Sequence, residues 1–179
     1  MSFFKSILTN YRTIGAISPS SRFLYKKMIS PMDLARDIHI VEFGAGSGTF
    51  TDALLQKLTP GSSLSIFEID PRFIKHLQLK YKGDNRVVVY SVGAEESTKF
   101  FEEGSVDYIL SSLPFGLMNE SIILRILESA KHILHEQGKF IQFQYFLQNK
   151  KHIHDTFPQV NYKFTLLNLP PAFVYVCNK

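Results

Sequence analysis

The sequence predicts a single doubly wound α/β domain: a mostly parallel sheet with helices on both faces, closed by a C-terminal antiparallel hairpin. Three observations carry this. Short β-rich runs alternate with helical patterns from residue 38 to 144. A glycine-rich stretch, Gly44 to Gly48, follows the first run and precedes the first helical pattern. The last two β-rich runs, 162–169 and 172–177, are separated only by Pro170 and Pro171. Repeated strand–helix–strand units give parallel strands with right-handed crossovers, whereas two runs joined by a short proline turn give an antiparallel pair.

Residues 38–43 (IHIVEF) form the first expected strand, and 48–58 a helix with Phe50, Ala53, Leu54 and Leu58 on one face. Residues 63–69 (SLSIFEI) form the second strand. A helix starts near Pro71, because proline suits a first helical turn, and Asp70 just before it suits the N-cap. Residues 86–90 (RVVVY) form the third strand, and 94–103 a short helix ending near Gly104. Residues 106–112 form the fourth strand. A long helix spans about 119–136, with Ile122, Ile126, Leu127, Ala130 and Leu134 at helical spacing. Gly138 ends it, and 139–145 (KFIQFQY) form the fifth strand. With the final pair, seven strands are expected.

The 179 residues suit one domain with a sizeable core. No run approaches the roughly 20 apolar residues that cross a bilayer, and no apolar block near the N-terminus leads to a small-residue cleavage site. Cys177 is the only cysteine, so no intrachain disulfide forms, and a cytoplasmic setting fits. No His, Cys or acidic cluster has metal-ligand spacing, so no metal is expected.

The net charge of +4 is uneven. Residues 1–30 carry Lys5, Arg12, Arg22, Lys26 and Lys27 and no carboxylate, which points to a polyanionic partner. This segment is expected to lie outside the core domain of residues 31–179. Phe3, Phe4, Ile7, Leu8 and Tyr11 share one face of a helix. Two roles fit that stripe: burial in a lipid interface, or covering the domain's own core.

The strongest chemical signal is Val41-Glu42-Phe43-Gly44-Ala45-Gly46-Ser47-Gly48. Glycines allow a tight turn and close backbone approach to a ligand. A dinucleotide fingerprint needs glycine at 49, where Thr49 stands. The GxGxG spacing after Glu42 resembles motif I of S-adenosylmethionine-dependent methyltransferases, and five β/α units with a closing hairpin match the Rossmann-like class I fold of those enzymes. Glu68 closes the second strand 24 residues beyond Gly44, where a carboxylate takes both ribose hydroxyls. The resemblance implies S-adenosylmethionine as cofactor, held by Glu42, Gly44, Ala45, Gly46, Ser47, Gly48, Glu68, Ile69, Gly93, Ala94 and Ser111. No Asp stands after the third strand, so backbone around Ala94 lines the adenine. Glu95 is either a substitute acid or an ordinary helix-start residue.

The fourth strand ends in Ser111-Ser112-Leu113-Pro114-Phe115. This is similar to the acceptor motif of amino methyltransferases, Asn/Asp-Pro-Pro-Tyr/Phe or Asn-Leu-Pro-Tyr/Phe, with Ser111 in place of the usual Asn or Asp. There a side-chain oxygen and a backbone carbonyl aim the amine's lone pair, and an aromatic ring bounds the pocket. Ser111, Leu113, Pro114 and Phe115 are the acceptor residues this implies. The other reading is a turn with a core aromatic.

Ile14-Gly15-Ala16-Ile17-Ser18-Pro19-Ser20-Ser21-Arg22 together with Ser-x-Leu-Pro resembles the bacterial soluble phospholipid N-methyltransferases, relatives of the rRNA adenine dimethylases. The resemblance runs from about Phe3 to Tyr175. It implies methylation of phosphatidylethanolamine at an anionic membrane surface, by a cytoplasmic protein bound peripherally to the membrane. Arg22 or a nearby lysine would hold the head-group phosphate, with Ser20 and Ser21 adding hydrogen bonds or capping the helix that follows; Tyr11 and Tyr145 are the general-base candidates beside the substrate, or else packing aromatics. Other functions stay open: an rRNA adenine N6-methyltransferase, with Ser111 and the lack of an RNA-binding tail against it, or a non-catalytic membrane-associated protein of the same fold.

Overall fold

The computed structural model describes residues 22–147, 149–166, 168 and 170–179. Its frame is one seven-stranded sheet. The strands are β1 (His39–Phe43), β2 (Ser63–Phe67), β3 (Val87–Tyr90), β4 (Val106–Ser111), β5 (Leu134–Gln144), β6 (Gln159–Thr165) and β7 (Ala172–Asn178), in the order β3-β2-β1-β4-β5-β7-β6. The first five pair in parallel, and β7 runs antiparallel to both neighbours. The order reverses between β1 and β4, so the carboxyl ends of these two strands border the crevice where open α/β sheets bind ligands.

The helices are α1 (Arg22–Ile29), α2 (Thr49–Leu55), α3 (Pro71–Lys80), α4 (Glu120–Ile133) and α5 (Lys150–Thr156). Alternation along each strand sends side chains to opposite faces, and each face builds its own core. On one, Ile40, Leu64, Ile66, Leu110, Ile141 and Val174 pack with α1, α2 and α3. On the other, Val41, Phe43, Ile109, Phe140 and Tyr175 pack with α4 and α5. Asp70 caps α3 by accepting from Arg72 N–H at 2.9 Å, as its place before Pro71 predicts.

Four expectations change. Residues 22–30 do not lie outside the core: Leu24 and Met28 are fully buried against the sheet, worth about 1.5–3 kcal/mol each. α1 runs from the carboxyl edge, where Tyr25 meets Phe50 of α2, to the amino edge, where Lys139 Nζ donates to Pro31 C=O at 3.0 Å. Second, Gly138 lies inside a strand rather than ending a helix. α4 stops at Ile133, and β5 begins at once, pairing Leu134 with Val106 across a register irregularity. A Cβ at Gly138 would sit 2.8 Å from His135 C=O and 3.0 Å from Asp107 C=O, so glycine serves backbone crowding at a bulge. Third, residues 94–99 form a 3₁₀ helix, shorter than the expected 94–103. Fourth, α5 stands before the final hairpin, and β6 starts at Gln159 and ends at Thr165, not 162–169.

Candidate active site

Gly44, Gly46 and Gly48 all have positive φ (74°, 57° and 82°), so the loop from β1 to α2 passes through the left-handed region three times. Gly48 shows why side chains are excluded. A Cβ there would lie 2.5 Å from Tyr81 Oη, whose hydroxyl donates to Gly48 C=O (3.1 Å) and Asp52 (2.8 Å). At Gly46 a Cβ would meet nothing within 4 Å, leaving open space in front of the loop.

Glu68 follows β2 directly and faces this loop. Its Oε2 accepts from Gly46 N–H at 2.9 Å, and its Oε1 accepts from Ile69 and Asp70 N–H at 2.8 and 2.9 Å. The carboxylate is 6% exposed and turned inward. Glu42, deeper on β1, is fully buried, and its Oε2 accepts from Thr51 hydroxyl at 2.6 Å. Its Oε1 has no hydrogen-bond partner among the described residues. Burial pushes the Glu42 carboxyl up to about 7, with the Thr51 bond opposing.

Beside Glu68 lies a slot walled by Ile69, Val92, Ala94, Leu113, Met118 and Ile126, with Gly44 and Gly93 as its backbone floor and Glu95 at its rim. Apolar walls with a few polar groups suit an aromatic base. The Glu95 carboxylate curls over Gly93, in the space an added Cβ would need. Leu113 reaches the glycine loop: its Cδ2 stands 2.8 Å from a Cβ built on Gly44. The end of β4 therefore abuts the loop after β1.

The acceptor loop is tightly tied. Pro114 has φ −81° and ψ 71°, an inverse γ-turn, and Phe115 N–H donates to Leu113 C=O at 2.9 Å. Two side chains of β5 join it: Gln142 and Gln144 Nε2 donate to the same carbonyl at 2.9 and 3.2 Å.

Of the residues expected at the site, Gly44, Glu68, Ile69, Gly93, Ala94, Glu95 and Leu113 meet in the slot, and Gly46 joins through Glu68. Ser111 is buried at the strand end beneath it, with Leu113 N–H pointing at its Oγ from 3.5 Å. Ser47 is exposed, its Oγ 3.2 Å from Thr49. Phe115 is 1% exposed and packs in the core with Ile123 and Ile126, so the core-aromatic reading describes its placement. Tyr145 is half-buried against Phe143, and burial raises its phenol, partly offset by a hydrogen bond with Asn168. A phenol raised this way stays protonated at neutral pH and does not serve as a base there. Arg22 opens α1, exposed, with its guanidinium 5.1 Å from the Phe23 ring. Tyr11, Ser20 and Ser21 lie outside the described residues.

Sequence reasoning does not single out Val92, Met118, Ser112, Gln142, Gln144 or Asn168. For the glutamines a signal exists: two amides at i and i+2 in an otherwise apolar strand share one face and need partners there.

The fold and this crevice define a doubly wound α/β domain with a ligand cleft at the carboxyl ends of its central strands. The pattern of the Methyltransferase small domain family matches residues 14–165, and the chain belongs to that family. It is 24% identical over 174 residues to an ornithine lipid N-methyltransferase of Singulisphaera acidiphila, covering 92% of this chain and 88% of that one. It is 29% identical over 105 residues to ribosomal RNA small subunit methyltransferase A of Malacoplasma penetrans, covering 59% of this chain but only 36% of that protein. Among solved structures, the 1,6-didemethyltoxoflavin-N1-methyltransferase of Burkholderia thailandensis shares the fold at a TM-score of 0.75 and 15% identity, over 99% of this chain and 87% of its own.

The protein is an S-adenosylmethionine-dependent methyltransferase of class I. The residues present fit that cofactor. The partnerless Glu42 Oε1 would take its amino group, the open face of Gly46 would admit it against the backbone, the slot would hold its adenine, and Glu68 would face its ribose. When bound, the cofactor supplies an electrophilic methyl. The chain's own residues orient it and exclude water.

Proposed function

We propose that the protein is an N-methyltransferase acting on the amine of phosphatidylethanolamine at an anionic membrane surface. One observation carries the reading: the mouth of the site is rimmed by exposed apolar residues. Leu117 follows β4, Phe146 and Leu147 follow β5, and Leu166 follows β6, all at the carboxyl edge, with Phe146 68% and Leu166 72% exposed. Apolar side chains, most of them aliphatic, on loop tips around an active site suit a lipid interface. α1 starts at the same edge, so the basic, acid-free segment before it joins the chain there. The lipid-modifying relative, matched over nearly its whole length, supports the same reading.

In this reading the amine attacks as its neutral form. An ammonium loses hydration beside the apolar Leu113 and Met118, which favours release of its proton before transfer. With the Tyr145 phenol raised, that proton leaves to solvent rather than to a tyrosinate.

The test is incubation with methyl-labelled cofactor and vesicles of phosphatidylethanolamine and an anionic lipid, followed by separation of the lipids. Label in mono- or dimethylated phosphatidylethanolamine is expected. A second reading, adenine methylation in ribosomal RNA, draws on the Malacoplasma relative. Label in RNA and none in lipid, with salt-sensitive RNA binding, would replace the first reading with it.

A further inference from the structure

The Leu113 carbonyl carries more donors than it has lone pairs. Phe115 N–H, Gln142 Nε2 and Gln144 Nε2 reach it at 2.9, 2.9 and 3.2 Å, against two lone pairs. The three are not equivalent. The Phe115 bond closes the γ-turn. Gln142 is fully buried and pinned by a second bond to Phe143 C=O at 2.8 Å, so its orientation is set by two carbonyls that both demand its nitrogen. Gln144 has the longest bond of the three, ends β5 at the carboxyl edge, and makes no other side-chain hydrogen bond among the described residues. It is the donor most easily given up.

Resting on the reading of an amine acceptor, we propose that the Gln144 amide is a place-holder for the acceptor's N–H on the Leu113 carbonyl, and that Gln142 is a positioning residue that keeps this carbonyl in place. An arriving amine restores the bond that the departing Gln144 breaks, and Gln142 and Phe115 hold the acceptor loop still during the exchange. Only a head group with an N–H makes the exchange. A quaternary ammonium offers no proton, so it leaves the Gln144 bond intact. The end product of full methylation is thereby bound without the contact its precursors use.

The experiment compares dihexanoyl-phosphatidylethanolamine with dihexanoyl-phosphatidylcholine, bound to the protein with S-adenosylhomocysteine, for wild type, Gln144→Met and Gln142→Met. Removing the surplus third donor clears its place on the carbonyl, so Gln144→Met tightens the primary amine by about threefold to tenfold, the scale of one net hydrogen bond, and leaves the quaternary lipid unchanged. Gln142→Met gives no such selective gain. In turnover, Gln144→Met lowers KM for the amine, whereas Gln142→Met lowers kcat. Equal shifts for both lipids, no shift, or weaker amine binding in Gln144→Met overturns the proposal. If wild type binds neither lipid, the phospholipid reading has failed. Ethylamine against tetramethylammonium, titrated by NMR, then decides the place-holder alone by the same difference.

Discussion

The two halves of the sheet handle ligands in different ways. Around β1, β2 and β3 the site is made of backbone: left-handed glycines, peptide N–H groups on Glu68, and a carboxylate two residues before the first glycine. Around β4 and β5 it is made of two side chains of one strand, β5, converging on a carbonyl just past the end of β4. The first half restricts side chains, through positive φ at Gly44, Gly46 and Gly48 and the contact of Gly48 with Tyr81. The second is adjustable, since each side chain contributes one bond. A shared cofactor and a variable acceptor call for that division.

The largest effect that sharpens the contrast is expected at Gly48. Alanine there adds left-handed strain and drives Cβ to 2.5 Å from Tyr81 Oη and 3.0 Å from Leu77 Cδ2, costing about 2–4 kcal/mol in urea unfolding. Gly46→Ala, with strain but no clash, costs only about 1–2 kcal/mol. Equal losses at both positions would mean that the packing of Tyr81 is not what excludes a side chain. Next in size is Glu68→Ala, expected to weaken cofactor binding by about 1–3 kcal/mol in calorimetry. The variant also strips acceptors from three backbone N–H groups, so some stability is lost as well. Unchanged cofactor affinity would remove Glu68 from the ribose.

The same contrast explains what could be read in the sequence. Gly44 to Gly48 and Glu68 are legible because each follows its strand by a set number of residues, and local geometry alone demands them. The parallel core is legible for the same reason, since alternation and helical spacing are local. The start of β5 is not: Gly138 resembles a helix stop until Asp107 C=O, on the neighbouring strand, is seen to crowd it. α5 escapes because its seven residues bury only Ile153 fully, too little for a periodic signal. The glutamine pair lies some thirty residues from Leu113, and no spacing rule links an amide on one strand to a carbonyl beyond the end of the next. Phe115 shows the converse: a motif can place an aromatic at the right position while its side chain serves the core.

A smaller effect tests the outer rim. Phe146→Ser with Leu166→Ser is expected to lower association with anionic vesicles by about tenfold, within the range for two partly inserted side chains. Cofactor affinity should stay at the wild-type value, since neither residue lines the slot. An undiminished vesicle pellet would detach the rim from the lipid reading. A parallel loss of cofactor binding would show that the two halves are not independent.

The smallest effect is a pH slope, and it lies in the cofactor half. The Glu42 carboxyl is raised from its ordinary 4.5 to about 7 by burial. The folded protein therefore holds a proton there that the unfolded chain has released. Stability from this group is complete below 4.5 and is lost as pH rises toward and through 7. Cofactor binding has the opposite sign. A cationic amino group next to the partnerless Oε1 favours the carboxylate, so the proton leaves on binding and affinity climbs as pH rises through 7, by less than about tenfold per unit because one proton is exchanged. Glu42→Gln removes the exchange: calorimetry from about pH 6 to 8 should show a flat affinity, lower than wild type at the alkaline end, and stability that no longer falls over that window. A variant that keeps the wild-type slope would place the titrating group elsewhere and leave Glu42 as a structural partner of Thr51 alone.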